Sequence, residues 1–153
     1  MRSSYGGVPT PALVLGIAGV VPFFVAAIAM LAGPPWLKIT AYIHLMNYAA
    51  LALAFLGAVH WGLALAAGRT DWQVYVASVV PVVLGLLALS LIQPLPTIFV
   101  FVVAYAGIFI LDIRAARDGF APPWYPRLRK PLTIIVLLAF FAIGLATTVL
   151  NTV

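Results

Sequence analysis

Residues 41–67 read AYIHLMNYAALALAFLGAVHWGLALAA, an apolar run without a single Asp, Glu, Lys or Arg. About twenty such residues cross the roughly 30 Å hydrocarbon core of a bilayer as an α-helix. The stretch carries both histidines of the chain, His44 and His60, with Trp61 beside the second. It also carries Ala50, Ala54, Ala58, Gly62 and Ala66 at four-residue spacing. Small residues at that spacing form a slowly drifting ridge along which a second helix backbone approaches closely in lipid. This ridge reads as a packing surface. His60 lies about 160° around the helix from Gly62, facing other neighbours or a cavity.

The rest of the chain has the same character. Of 153 residues, 65% are hydrophobic and 7% charged, and mean hydropathy is +1.20. Soluble domains carry about 25% charged residues. A chain this short cannot hide so much apolar surface from water. The apolar runs are long and continuous rather than alternating, which excludes an outer-membrane barrel. The fold class is therefore all-α: a polytopic membrane protein with a compact bundle of five transmembrane helices in one transmembrane domain.

The spans are expected near 12–31, 39–67, 72–92, 97–111 and 132–150. Pro11 opens the first, and Pro22 interrupts it in GVVPFF. A proline there frees a carbonyl that a neighbouring helix must satisfy. Arg2 and the small residues Ala27 and Ala29 resemble a signal peptide with its cleavage site. The apolar run exceeds the usual 7–15 residues of such a segment, so the first helix is expected to be retained. The polar tail 1–10 is expected to be poorly ordered at its start. The second span, at roughly 43 Å, must tilt or protrude. The fourth is short, bounded by Pro96 and Asp112. Residues 112–130, DIRAARDGFAPPWYPRLRK, form the one substantial loop, and Pro131 opens the last span.

Charge sets the threading. Five spans place the amino-terminal tail, the Arg69 turn and the long loop on one side, with Arg2, Arg69, Arg114, Arg117, Arg127, Arg129 and Lys130; the other side has Lys38 alone. Basic loops stay cytoplasmic, so the N-terminus is expected in the cytoplasm and the C-terminus outside. The net charge of +5 is explained by this bias and by anionic membrane lipid, without a nucleic-acid partner.

Few residues offer chemistry. His60, Trp61, Ser78 and Asp112 fall at comparable depth near the cytoplasmic ends of their helices, and a His60–Asp112 or His60–Ser78 hydrogen bond fits that placement. These four are candidate ligand-binding residues, for a proton relay or a ligand; a structural hydrogen bond is the simpler reading. His44, Asn47 and Tyr48 share a helical face nearer the outer end. They form a second polar cluster that lines a cavity or glues helices together. The histidines are about 24 Å apart along one helix and cannot share an ion or haem. With no cysteine and three acidic residues, no metal set is complete. No cofactor is called for, and no nucleophile, triad or acid pair marks an enzyme. In the loop, Arg114, Arg117, Trp124, Tyr125, Arg127, Arg129 and Lys130 suit lipid headgroups or a partner subunit.

LGIAGVVPFF in the first span, FLGAVHWGLAL in the second, SVVP in the third and WYPRLRKPLT before the fifth together resemble the five-helix membrane family catalogued as domain of unknown function 3429, which includes mitochondrial transmembrane protein 69. GAVHWG and WYPRLRKPLT are the specific pieces. The resemblance implies a five-helix bundle in a bacterial or mitochondrial inner membrane, with His60 and Trp61 as marked positions, and brings no reaction or cofactor. The first functional expectation is a non-enzymatic accessory or assembly subunit of a larger membrane complex in the bacterial inner membrane. The alternative is a carrier or binder of a small hydrophobic or protonatable ligand, using a cytoplasm-facing cavity near His60.

Overall fold

A computed structural model of the chain describes residues 7–150. Arg2, the start of the polar tail and the end of the chain lie outside the described residues. Five helices follow one another: α1 Thr10–Ala32, α2 Pro35–Ala66, α3 Trp72–Ser90, α4 Pro94–Arg117 and α5 Tyr125–Leu150. Each is long and apolar enough to cross a membrane. Neighbours in sequence pack side by side, and α5 closes the ring against α1; α2 and α4 also meet across the interior. Among the described residues no Cα atom of α2 lies within 8 Å of one of α5.

The helix boundaries follow from where proline and charge are tolerated. Pro35, Pro94 and Pro96 fall in first turns, where the missing N–H has no intrahelical partner in any case. This lengthens α2 and α4 at their starts beyond the expected 39 and 97. Asp112 does not end α4, which runs on to Arg117. Nor does Pro131 open α5, which begins at Tyr125 with Pro126 in its first turn. The loop expected over 112–130 thus contracts to residues 118–124. Arg114 and Arg117 occupy the last turn of α4, where cations complement the helix dipole. Helices α2 and α4 end alike, on Gly68 (φ +63°) and Gly119 (φ +80°). In each, the glycine N–H and the next N–H reach back to carbonyls of the last turn: Gly68 to Leu65 and Arg69 to Ala64, Gly119 to Ala116 and Phe120 to Ala115. This double bond pattern needs a left-handed residue, which glycine adopts without a Cβ penalty. The Arg69 guanidinium lies over the Phe120 ring at 5.4 Å, joining the two turns at one end of the bundle.

Aromatic rings fill the middle. Phe23 of α1 meets Tyr48 of α2, Tyr105 of α4 and Phe140 of α5 edge-on at 5.6, 5.9 and 5.7 Å. Phe101 stacks on Phe140 at 5.5 Å. Such pairs contribute about 0.5–1.5 kcal/mol beyond area burial in soluble proteins.

The ridge on α2 is not the centre of the buried face. Ala49, Leu53, Gly57, His60 and Ala64 are buried, and the ridge borders them. Ala50 meets α3 at Gly85, whereas Ala58, Gly62 and Ala66 are exposed. The closest approach is at Gly57, where any Cβ would run into the Ser78 carbonyl oxygen and lie 3.4 Å from the Pro81 ring. A Cβ at Gly62 would meet nothing. Gly57→Ala should therefore push α2 and α3 apart and destabilise the bundle by about 1–3 kcal/mol, the usual cost of overpacking. Gly62→Ala should be neutral or slightly stabilising. Unfolding of the purified variants in mixed detergent micelles reads the difference; equal stability of the two would refute the close approach.

Candidate functional site

Three charged or ionisable side chains from three helices meet near the end of the bundle that carries Arg69 and the α4–α5 loop. The His60 ring on α2 donates from Nε2 to Asp112 Oδ1 on α4 at 2.8 Å. Arg129 Nε on α5 donates to Asp112 Oδ2 at 2.9 Å. His60 is 4% exposed and Asp112 0%. The tautomer follows from the partner: an ionised carboxylate only accepts, so His60 Nε2 carries a proton. The carboxylate and the guanidinium balance one another, the condition under which ionisable groups are tolerated at membrane depth. The backbones of α2 and α5 stay apart, and Asp112 bridges them here through one oxygen to each. The Tyr125 hydroxyl lies within electrostatic reach of both Asp112 and Arg129.

Arg129 also faces away from Asp112. Only its Nε is engaged; the two terminal amino groups make no hydrogen bond to any described residue. The side chain lines a cavity of about 370 Å³ bounded by α1, α2, α4 and α5. Leu15, Leu51 and Phe55 stand at its mouth and are mostly exposed, so it opens between α1 and α2 towards lipid. Gly16, Gly19 and Ala52 keep its walls back. Thr133 of α5, one helical turn from Arg129, also lines it. Thr133 is 3% exposed, and its Oγ1 is the one buried side-chain polar atom among the described residues without a partner. Buried hydroxyls are satisfied in the great majority of cases, and an orphan costs about 1–3 kcal/mol. The other hydroxyls on this wall are engaged: Tyr48 donates to the Gly19 carbonyl and Tyr105 to the Ala49 carbonyl, each at 2.9 Å.

The sequence-based candidates divide. His60 and Asp112 come together as the spacing suggested, but on packed protein: neither lines the cavity. Ser78 donates to the Tyr75 carbonyl of its own helix at 2.6 Å. Trp61 packs edge-on to Tyr75 at 4.9 Å and borders, with Ser78, a separate apolar groove between α2 and α3. Of the second cluster, His44 and Asn47 are exposed and bond to carbonyls of their own helix, Thr40 and Ile43. Tyr48 alone ties α2 to α1. Arg114, Arg117, Arg127 and Lys130 remain exposed at the surface, with Trp124 and Tyr125 half-buried and edge-on at 6.0 Å. Arg129, expected among these surface cations, is turned into the bundle. Thr133 was not singled out from sequence, because a threonine in a span ordinarily bonds to its own helix. Among the described residues no group of three His, Cys, Asp or Glu could hold a metal ion.

Removing the carboxylate charge should expose what the pairing does. Asp112→Asn leaves the guanidinium uncompensated and should cost about 3–5 kcal/mol, as breaking a buried pair does. Asp112→Asn with Arg129→Gln restores neutrality and should recover much of that loss. Chemical unfolding of both variants decides; a single variant as stable as the parent would mean the pair is solvated.

Comparison with known proteins adds kinship without a reaction. The family model described as Protein of unknown function (DUF3429) matches residues 8–145. Transmembrane protein 69 of Xenopus tropicalis is 33% identical over 132 residues, 84% of this chain and 51% of that protein. Transmembrane protein 69 of Mus musculus is 27% identical over 148 residues, 95% of this chain and 58% of that protein. The chain thus spans little more than half the length of these relatives. No solved structure matches it. The cavity, Arg129, Asp112 and His60 all lie within the matched residues, and the chain belongs to the DUF3429 family of membrane proteins.

Proposed function

We propose that this protein binds, without chemical conversion, a small molecule dissolved in the membrane, and that the lateral cavity between α1, α2 and α5 holds it. One observation carries the reading: Arg129, whose terminal amino groups make no hydrogen bond to a described residue, lines an otherwise largely apolar cavity. A volume near 370 Å³ falls at the small end of ligand sites, which combine apolar walls with a few converging polar groups. The mouth faces lipid, so a ligand enters sideways from the bilayer. The His60–Asp112–Arg129 chain acts behind the site, holding the guanidinium in place. This differs from a cavity lined by His60, Trp61, Ser78 and Asp112, since those side chains do not converge on one space.

The orientation belongs to the same proposal. Arg69, Arg114, Arg117, Arg127 and Lys130 gather at one end of the bundle, the end near Arg129, and basic loops remain cytoplasmic in a bacterial inner membrane. The site then lies towards the cytoplasmic leaflet. A chain without cysteine suits single-cysteine labelling. Thr70→Cys should react with an impermeant thiol reagent only after the membrane is opened, and Gln93→Cys in intact cells; the reverse pattern would invert the threading.

A second reading has one observation of its own. Ala58, Gly62 and Ala66, the exposed half of the small-residue ridge, offer a flat strip to another helix, as an accessory subunit would. Native electrophoresis in mild detergent separates the two readings, since a protein that always migrates alone removes this one. For the cavity, native mass spectrometry of the purified protein should detect a bound small molecule. Ala52→Trp, which fills the cavity from α2, should abolish that species while leaving the protein folded. An unliganded parent protein that gains stability from Ala52→Trp would refute ligand binding there.

A further inference from the structure

Four cations at the Arg69 end of the bundle have no acidic partner. Asp71 is taken by Arg69, and Asp112 by His60 and Arg129, which leaves Asp118 of the chain's three acids. Arg114, Arg117, Arg127 and Lys130 are exposed, and none pairs with a carboxylate of a described residue. They form two pairs at three-residue spacing, one in the last turn of α4 and one in the opening turns of α5. The two helices pack together and are joined by the short loop 118–124, so both pairs lie at one level.

Their direction is as informative as their charge. At about 100° per residue, Arg114 and Arg117 share roughly 100° of arc with Ile110 and Ile113, and Arg127 and Lys130 share roughly 80° with Ile134 and Leu138. Those four apolar side chains are exposed on the bundle, so in a membrane they face acyl chains. Each helix thus carries a lipid-facing apolar stripe that ends in two cations, while Asp112 and Arg129 turn the other way, into the bundle. Trp124 and Tyr125, half-buried between the pairs, are of the residue types found at headgroup level. Threading requires cations on one side of the membrane; it does not require them to share the lipid-facing arc. Helix stability does not require them either. Arg127 sits in the first turn of α5, where the helix dipole disfavours a cation and no acid offsets it.

We infer that Arg114, Arg117, Arg127 and Lys130 form a binding site for an anionic phospholipid. Its phosphate sits between the ends of α4 and α5, and its acyl chains lie along the exposed faces of the two helices. The site shares no residue with the lateral cavity and stands without it. Guanidinium forks match phosphate oxygens two at a time. A zwitterionic head brings the same phosphate with an ammonium that these cations repel, so selection favours a head with net negative charge. An acidic peptide would supply the charge without the chains that the two stripes face.

Purified full-length protein in mild detergent separates binding from threading, which is complete before purification. The probes are phosphatidylglycerol and phosphatidylcholine with identical acyl chains, and bound lipid is counted by native mass spectrometry. Each cation near a membrane surface contributes about five-fold in affinity for anionic lipid, so phosphatidylglycerol should bind about ten-fold or more tighter than phosphatidylcholine. Arg114→Gln with Arg117→Gln, and Arg127→Gln with Lys130→Gln, should each bring that ratio close to one. Lys38→Gln, at the other end of the bundle, should leave it intact. Equal binding of the two lipids by the parent protein, which needs no variant, would overturn the inference, as would a preference that survives both double variants. Glycerophosphoglycerol, the headgroup without chains, binding as tightly as the whole lipid would overturn it in favour of a free phosphate. An acidic protein that copurifies, and is lost when either pair is replaced, would overturn it in favour of a partner subunit.

Discussion

Asp112 is fully buried and bridges two helices whose backbones stay apart. One oxygen holds His60 of α2 and the other Arg129 of α5. In a hydrocarbon medium there is little hydrophobic force between helices, so specific polar contacts and close packing carry the association. A carboxylate with two partners fixes the rotation of three helices at once, because each side chain must present a particular face. It also permits α4 to continue to Arg117 and α5 to begin at Tyr125, since both charges are satisfied inside the protein. The interaction thus sets helix length, helix rotation and the position of the guanidinium.

Helix α2 provides the other constraints by filling gaps its neighbours leave. Pro22 in α1 and Pro81 in α3 each interrupt a helix ladder. In both cases α2 contacts the carbonyl three residues earlier: Tyr48 donates to Gly19, and Gly57 packs against Ser78. Membrane helices tolerate proline when a neighbour attends to the loosened backbone. Here α2 meets both interrupted stretches, with a hydroxyl donating to Gly19 at one level and with close backbone packing against Ser78 at the other.

This division explains what sequence revealed and what it hid. The spans were legible because hydropathy is a property of continuous stretches, and so were the His60–Asp112 meeting and the role of Tyr48. The ends of α4 and α5 were not. A charge at the end of an apolar run reads as a boundary, and Asp112 contradicts that reading only because its partners lie 52 residues before it and 17 after it. Arg129, flanked by Arg127 and Lys130, looks like any headgroup-level cation; its inward turn depends on the rotation of α5. The ridge of small residues marked α2 as a packing helix, yet the buried face lies beside the ridge, because Gly57 and His60 fix the rotation of α2 against α3 and α4. The cavity was invisible to sequence, since it is a property of what four helices fail to fill.

That failure has a structural origin. Asp112 spans α2 and α5 at one level, and Tyr105 ties α4 to α2 at another through the Ala49 carbonyl. Phe23 fills the centre beyond them. Between these levels α2 and α5 face one another with Ala52 on one side and Thr133 and Val136 on the other, and α1 brings Gly16 and Gly19. None of these side chains is long enough to close the gap. An acyl chain drifting in from the bilayer would fill such a space and satisfy its apolar walls at little cost. It would leave the free side of Arg129 without a partner, and the Thr133 oxygen, sealed within the wall, as it is. The apolar walls are therefore explained by lipid in general; the unengaged side of Arg129 is the feature of this cavity that an acyl chain does not explain.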